Sequence, residues 1–170
     1  MPLPLTSGPA AAEDRAVPGH WEGDLLAGAK NSHDATLVER RSRYLMLVKV
    51  AGKDTATVVD ALRRRVRRLP NELRATLTWD RGKELAEHKR FTIATDVKVY
   101  FCDPHSPWQR GTNENTNGLL RQYFPEGTDL RTFSQAQLNR IATRLNTRPR
   151  ETLDFHTPAE RLAVAVAPTA

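Results

Sequence analysis

Asp24, Asp80 and Glu114 are the acidic residues whose surroundings make them candidates for chemistry. Asp24 interrupts the apolar stretch HWEGDLLA at 20–27, Asp80 ends the apolar run 75–79, and Glu114 stands near the start of a helix predicted from about Asn113 to Tyr123. Burying a carboxylate at such places is costly and must be offset. Crowded carboxylates raise one another's pKa unless a cation neutralises them, and Mg²⁺ is a hard ion that takes oxygen ligands. A metal cluster follows if the strands carrying Asp24 and Asp80 are neighbours and a helix across their ends brings in Glu114. Spacing alone leaves open a plainer reading, in which these are ordinary surface and cap carboxylates. Glu22, one pleat from Asp24, is the rival for the first position.

The remaining candidates are weaker. His20, His33, His88, His105 and His156 show no metal-ligand spacing such as HExxH, and His105 reads as a residue that fixes a loop by hydrogen bonding. The single cysteine, Cys102, rules out an internal disulfide and reads as a small core residue in a reducing compartment.

The elements that must position the acids can be read from periodicity. His20–Ala27 alternates as a strand. Thr36–Glu39 and Tyr44–Val50 are apolar, β-branched runs around a polar stretch and predict a hairpin. Lys53-Asp54-Thr55 is a helix start, followed by Val58, Val59, Leu62, Val66 and Leu69 at helical spacing until Pro70. The other face of that helix carries Arg63, Arg64, Arg65, Arg67 and Arg68, which a solvated surface explains more simply than a nucleic acid does. The runs 75–79 and 97–102 have the length of buried parallel strands, with a helix from Leu85 to Ala94 between them, giving a strand–helix–strand crossover. Ser134–Gln137 and Thr157–Glu160 are capping-box patterns that open two further helices. The order predicts an α/β fold with a mixed sheet. Residues 1–18, with four prolines and no periodicity, are expected to be a disordered tail before a core at 19–170.

At 170 residues the chain is the size of one domain. It has 39% hydrophobic residues, a mean hydropathy of −0.58 and no apolar run near 18 residues, which excludes a membrane-spanning helix and makes the cytoplasm the expected location. Twenty-six basic against 20 acidic residues give a net charge of +6, which favours a polyanionic partner. Twenty of the 26 are arginine, whose planar fork suits phosphate oxygens.

Longer motifs narrow the reading. TWDRGKE at 78–84 and FCDPHSPWQRGTNENTNGLLR at 101–121, with GHWEGDLL at 19–26, LVERRSRY at 37–44, LNTRPRETL and HTPAERL, strongly resemble the insertion sequence thirty family of bacterial transposases. The resemblance spans about residues 19–163. It implies a ribonuclease H-like fold of the retroviral integrase type, a mixed five-stranded sheet flanked by helices. It also implies a metal-binding DDE triad that cuts and joins DNA. Matched motif by motif, Asp24 is the first aspartate, Asp80 the second and Glu114 the glutamate, with 33 residues between the last two. The implied cofactor is Mg²⁺ or Mn²⁺, two ions, with one at the attacking oxygen and one at the leaving oxygen of a phosphodiester.

The implied partner is DNA, both element ends and target, bound by a homo-oligomer. Asn117, Gly118 and Arg121 share a helix face with Glu114. Arg121 suits a phosphate contact or an ion pair within the protein. The loop Pro107–Gly111, with Trp108, Gln109 and Arg110, is the segment that touches DNA in integrase-type enzymes. Trp108 suits stacking on a base or packing in the core. Arg148 and Arg150 suit backbone contacts or solvated helix-end charges. Full-length members of the resembled family begin with a helix-turn-helix region, where this chain has its proline-rich tail. That leaves a catalytic core on its own or a truncated fragment that binds DNA or regulates an intact transposase. A nuclease without joining activity is a third reading.

Overall fold

Side chains alternate along an extended strand, so HWEGDLLA must send Trp21, Gly23 and Leu25 to one side and His20, Glu22, Asp24 and Leu26 to the other. The computed structural model, which describes residues 3–4, 17–79, 88–101 and 111–166, builds a sheet around this strand. In chain order the elements are β1 (Leu3–Pro4), β2 (His20–Ala27), β3 (His33–Glu39), β4 (Leu45–Val50) and α1 (Thr55–Val66). They continue with β5 (Thr76–Trp79), α2 (His88–Thr95), β6 (Lys98–Phe101), α3 (Gly111–Leu120), α4 (Gln135–Asn146) and α5 (Pro158–Val166).

The sheet order is β1-β6-β5-β2-β3-β4. The predicted hairpin is the antiparallel pair β3–β4, and β2 pairs antiparallel with β3. On its other side β2 pairs in parallel with β5, and β5 with β6, the predicted crossover. The five expected strands are β2 to β6. Leu3–Pro4, within the segment expected as a tail, pairs in parallel with β6 at that edge.

Each face of the sheet has its own apolar layer. Trp21, Ala35, Leu37, Met46, Val48, Leu77 and Trp79 pack with Val58, Val59 and Leu62 of α1 and Phe91 of α2. Leu26, Val38, Leu45 and Leu47 pack on the opposite face with Leu120 of α3, Phe124, and Leu138, Ala142 and Leu145 of α4. Each large side chain so buried stabilises the fold by roughly 1.5–3 kcal/mol.

Local capping sets the helix starts. The Asp54 carboxylate accepts from the Thr57 amide at the head of α1. Ser134 and Gln137 form both halves of the predicted capping box before α4. Glu160 donates its amide to the Thr157 hydroxyl at the start of α5. The prediction ran α3 to Tyr123, whereas the regular helix stops at Leu120 and tightens into turns through Phe124. Pro125 follows, and the residue before a proline is pushed away from helical angles.

β4 is an edge strand, yet its outward backbone is sealed by two side-chain amides of α4. The Leu45 N–H donates to Asn146 Oδ1 at 2.8 Å and its carbonyl accepts from Asn146 Nδ2 at 2.9 Å. The Lys49 N–H donates to Gln135 Oε1 at 2.9 Å and the Leu47 carbonyl accepts from Gln135 Nε2 at 2.7 Å. Such sealing blocks edge-to-edge pairing with another strand.

One residue works against the fold at neutral pH. Asp34 in β3 is 1% exposed, and neither carboxylate oxygen has a hydrogen-bond donor among the described residues. Burial pushes its pKa from 3.8 up to about 7, an effect partly offset by the positive charge of Lys49, its cross-strand neighbour. The folded protein therefore holds a proton here that the unfolded chain releases near pH 4, so stability falls as pH rises from about 4 to about 7. The slope approaches about 1.4 kcal/mol per pH unit at most. Asp34→Asn is expected to flatten that slope in urea unfolding measured across this window. An unchanged slope would show that Asp34 is not its source.

Candidate active site

Gly23 makes room for the Trp79 side chain of β5 against β2. Parallel register pairs Gly23 with Trp79, and a Cβ on Gly23 would lie 2.5 Å from the Trp79 ring carbons Cε3 and Cζ3 and 3.1 Å from Leu77 Cδ1. The missing side chain lets the indole, 1% exposed, lie flat against the strand. The register sets Asp24 immediately after Gly23, directly beside the strand that leads into Asp80. Asp80 itself lies outside the described residues, as do Trp108, Gln109 and Arg110.

Asp24 is half-buried in the middle of β2 and held from two sides. Its Oδ1 accepts the Leu25 amide at 2.8 Å, and its Oδ2 faces Asn117 Nδ2 of α3 at 3.4 Å. The Thr36 hydroxyl, on the neighbouring strand, reaches the Asp24 carbonyl at 3.4 Å. Through Asn117 the helix that carries Glu114 is fastened to Asp24. Glu114 occupies the position three residues earlier in α3, one turn toward the helix start. Sequence reasoning placed Asn117 on this face, and the structure gives it a partner.

The other predicted contacts are placed as follows. Arg121 donates from Nη2 to the Ala27 carbonyl at 3.1 Å and from Nη1 to the Phe124 carbonyl at 3.4 Å, tying the end of α3 to the end of β2. Gly118 is exposed. Arg148 is exposed and donates to the Tyr123 hydroxyl at 3.2 Å. Arg150 is half-buried, and burial, reinforced by the like charge of Arg148, lowers its pKa from the ordinary arginine value.

The buried partner of Glu22 and the buried Glu39 were not legible in the sequence. Glu22 is 2% exposed and lies 4.0 Å from the guanidinium of Arg40, itself 5% exposed. The rival carboxylate thus has a buried cation beside it. Glu39, fully buried, accepts the amides of Arg41 and Ser42 and so builds the β3–β4 turn. The polar stretch at 40–43 that joins the hairpin is partly a buried network, with Glu39, Arg40 and Ser42 all buried. Its one visible signal was the length of the LVERRSRY motif.

Could a cation be held here? Among the described residues no three His, Cys, Asp or Glu side chains converge, and of the proposed triad only the Asp24 side chain is described. The local donor set is oxygen-rich. Beside the Asp24 carboxylate, Asn117 Oδ1 is shielded from solvent and lacks a hydrogen-bond donor among the described residues. A carboxylate next to an unsatisfied amide oxygen suits a hard divalent ion.

Comparison with known proteins gives the family. Residues 14–107, more than half of the chain, match the family described as Integrase core domain. The chain belongs to that family. The matched segment contains Asp24 and Asp80 and ends before Glu114. This integrase core is 59% identical over 157 residues to Transposase InsI for insertion sequence element IS30A of Escherichia coli (strain K12), a match covering 92% of the chain and 41% of the relative. It is 53% identical over 160 residues to the transposase for insertion sequence element IS1086 of Cupriavidus metallidurans, covering 94% and 47%. The resemblance to the insertion sequence thirty family is borne out, and the chain spans less than half the length of these relatives.

Solved structures agree on the fold alone. The catalytic core domain of BIV integrase superposes with a TM-score of 0.63 at 17% identity, covering 86% of this chain and 95% of that one. A chain of the simian T-cell lymphotropic virus intasome in complex with PP2A regulatory subunit B56 gamma gives 0.65 at 20% identity, covering 89% and 56%. The ribonuclease H-like, integrase-type fold is therefore the right one.

Since the Trp79 indole occupies the space a Cβ of Gly23 would need, Gly23→Ala forces a methyl into the indole. Overpacking of this kind costs about 1–3 kcal/mol. Urea unfolding is expected to show that loss, and an unshifted midpoint would mean that the indole is not held in that space.

Proposed function

We propose that this chain is the catalytic core of a transposase, cutting DNA strands and joining them to new sites, with Asp24, Asp80 and Glu114 as its carboxylate set. The observation that carries this reading is the convergence on Asp24. The strand leading to Asp80 is registered against it through Gly23 and Trp79, and the helix bearing Glu114 is fastened to it through Asn117. The names of the similar transposases support the same activity.

The chemistry asked of the site is in-line displacement at a phosphodiester. An oxygen attacks phosphorus, the bond to the leaving oxygen breaks, and the attacking group is water in cleavage or a DNA 3′-hydroxyl in joining. One site serves both steps, because each is attack of an oxygen on a phosphodiester, and no covalent protein intermediate is required. Mg²⁺ or Mn²⁺, bound as a pair by the three carboxylates, would supply the charge that activates the attacking oxygen and stabilises the leaving one. The chain's part is to hold oxygen ligands ready. Asp24 is fixed by the Leu25 amide and the Asn117 amide, so its carboxylate needs no reorientation on binding. Glu22 is left out of the set, because Arg40 neutralises it within the core.

DNA would run over the carboxyl ends of β2 and β5, with Trp108, Gln109, Arg110, Asn117, Arg121 and Arg148 as the nearby contacts and a second copy of the chain engaged on the same DNA. The setting is the bacterial cytoplasm. Among the described residues no helix is long and apolar enough to cross a membrane.

The test is an assay on branched and linear DNA with Mg²⁺ or Mn²⁺. Asp24→Asn and Asp80→Asn are each expected to slow cleavage and joining by at least about a hundredfold, more than the loss typical of a residue that only supports a metal ligand, with DNA affinity retained. Glu22→Gln should keep its turnover per folded molecule. Undiminished turnover in Asp80→Asn would refute the assignment. Cut ends without joined product would reduce the protein to a nuclease, and DNA binding with no cutting would favour a regulatory fragment.

A further inference from the structure

The arginines of α1 that read as a solvated face do not all behave like one. Ala61, Arg64, Arg65 and Arg68 follow the i, i+3, i+4, i+7 spacing of a single helix stripe. That stripe faces Gln135 and Asn139 of α4 across the edge of β4. Together with Lys49 these polar residues line a cleft of about 170 Å³. A second cleft of about 190 Å³ shares Arg65 and Asn139 and continues along β4 past Tyr44 to Asn146. The two make one groove along the whole of β4, roughly 17 Å at the usual rise of a strand.

Its charge is one-sided. Four cations and no carboxylate line the first cleft. Arg63, off the stripe, has Asp60 at 3.7 Å, and Arg64 donates to the Asp60 carbonyl at 3.4 Å. Lys49 is anchored by the carbonyls of Arg131 and Phe133. Arg65 and Arg68 have no acidic partner among the described residues, and Arg65 Nε is shielded from solvent with no acceptor. Shielding that N–H costs less once an anion in the groove supplies an acceptor.

What occupies the groove follows from what it refuses. A β-strand adds poorly to it, because Asn146 takes the Leu45 amide and carbonyl and Gln135 takes the Lys49 amide and the Leu47 carbonyl. An apolar helix would bury the guanidinium groups without partners. A row of phosphates suits it: the groove is long enough to follow a few successive phosphates of one strand, and arginine forks and side-chain amides are the usual donors to phosphate oxygens. Asp24 pairs with Thr36 and Thr36 with Leu47, so the groove begins beyond two strand spacings, about 10 Å, from Asp24.

We infer that the α1–β4–α4 groove is a second, sequence-independent DNA-backbone site, with Arg64, Arg65 and Arg68 as its phosphate contacts. It rests on the proposed function only in taking DNA as the partner.

The test uses the whole chain, a labelled duplex of arbitrary sequence and a salt titration. Each neutralised phosphate adds about −0.9 to the slope of log K against log salt, so R65Q/R68Q is expected to reduce the slope by about 1.8. R67Q/R144Q removes the same charge outside the groove and should leave the slope nearly unchanged. An unaltered slope in R65Q/R68Q, an equal change in both variants, or no DNA binding by the unmodified chain would overturn the inference. So would a change in sedimentation mass without a change in slope, which would make the groove a contact between copies of the chain. Cleavage with metal is followed in parallel. A cutting protein with an unaltered slope fails the groove alone, whereas a reduced slope in a protein that never cuts fails the catalytic reading alone.

Discussion

The close contact of Gly23 with the Trp79 indole is the constraint from which the site's geometry follows. Two parallel strands carry no turn to fix their register, so side-chain packing contributes to it, and here the missing Cβ of Gly23 makes room for the indole of its cross-strand partner. Any larger residue at 23 would push the Trp79 indole off β2 and disturb the packing beside the strand end that leads to Asp80. The glycine is therefore part of the site although it offers no functional group.

The face of the sheet that bears Asp24 is unusually polar for a buried surface. His20 meets Thr76 at 2.7 Å and Glu22 lies beside Arg40. Each arrangement answers the desolvation of a polar group with a neighbour supplied by another strand or turn. Asp34 is the exception, a carboxylate buried without a donor among the described residues. Its penalty is of the size of one or two buried leucines, which the two apolar layers can absorb. We have no physical account of why an acid stands there.

Both edges of this logic meet at β4. An unsealed edge strand would invite pairing with other chains, and α4 prevents it with Gln135 and Asn146. Having closed the backbone, the same helix forms one wall of a groove whose other wall is the arginine stripe of α1. Protection of the edge and creation of the groove are thus one arrangement of side chains, and the groove's preference for anions is a result of that closure.

Elements, caps and the polar or apolar side of each strand were determined by the sequence itself, because they depend on neighbours within a few residues. HWEGDLLA alternates, Ser134 and Gln137 cap each other, and Asp54 starts α1 wherever the chain is placed. The motifs around Asp24, Asp80 and Glu114 also carried the family. Strand order, the burial of Glu22 with Arg40, the hold of Asn117 on Asp24 and the sealing of β4 were decided only by tertiary structure. Asn117 and Asp24 are 93 residues apart and Asn146 and Leu45 are 101 apart, so no local pattern encodes them. The arginines of α1 show the difference most plainly: helical spacing told which of them share a stripe, but only the packing of α4 across β4 gave that stripe an opposite wall.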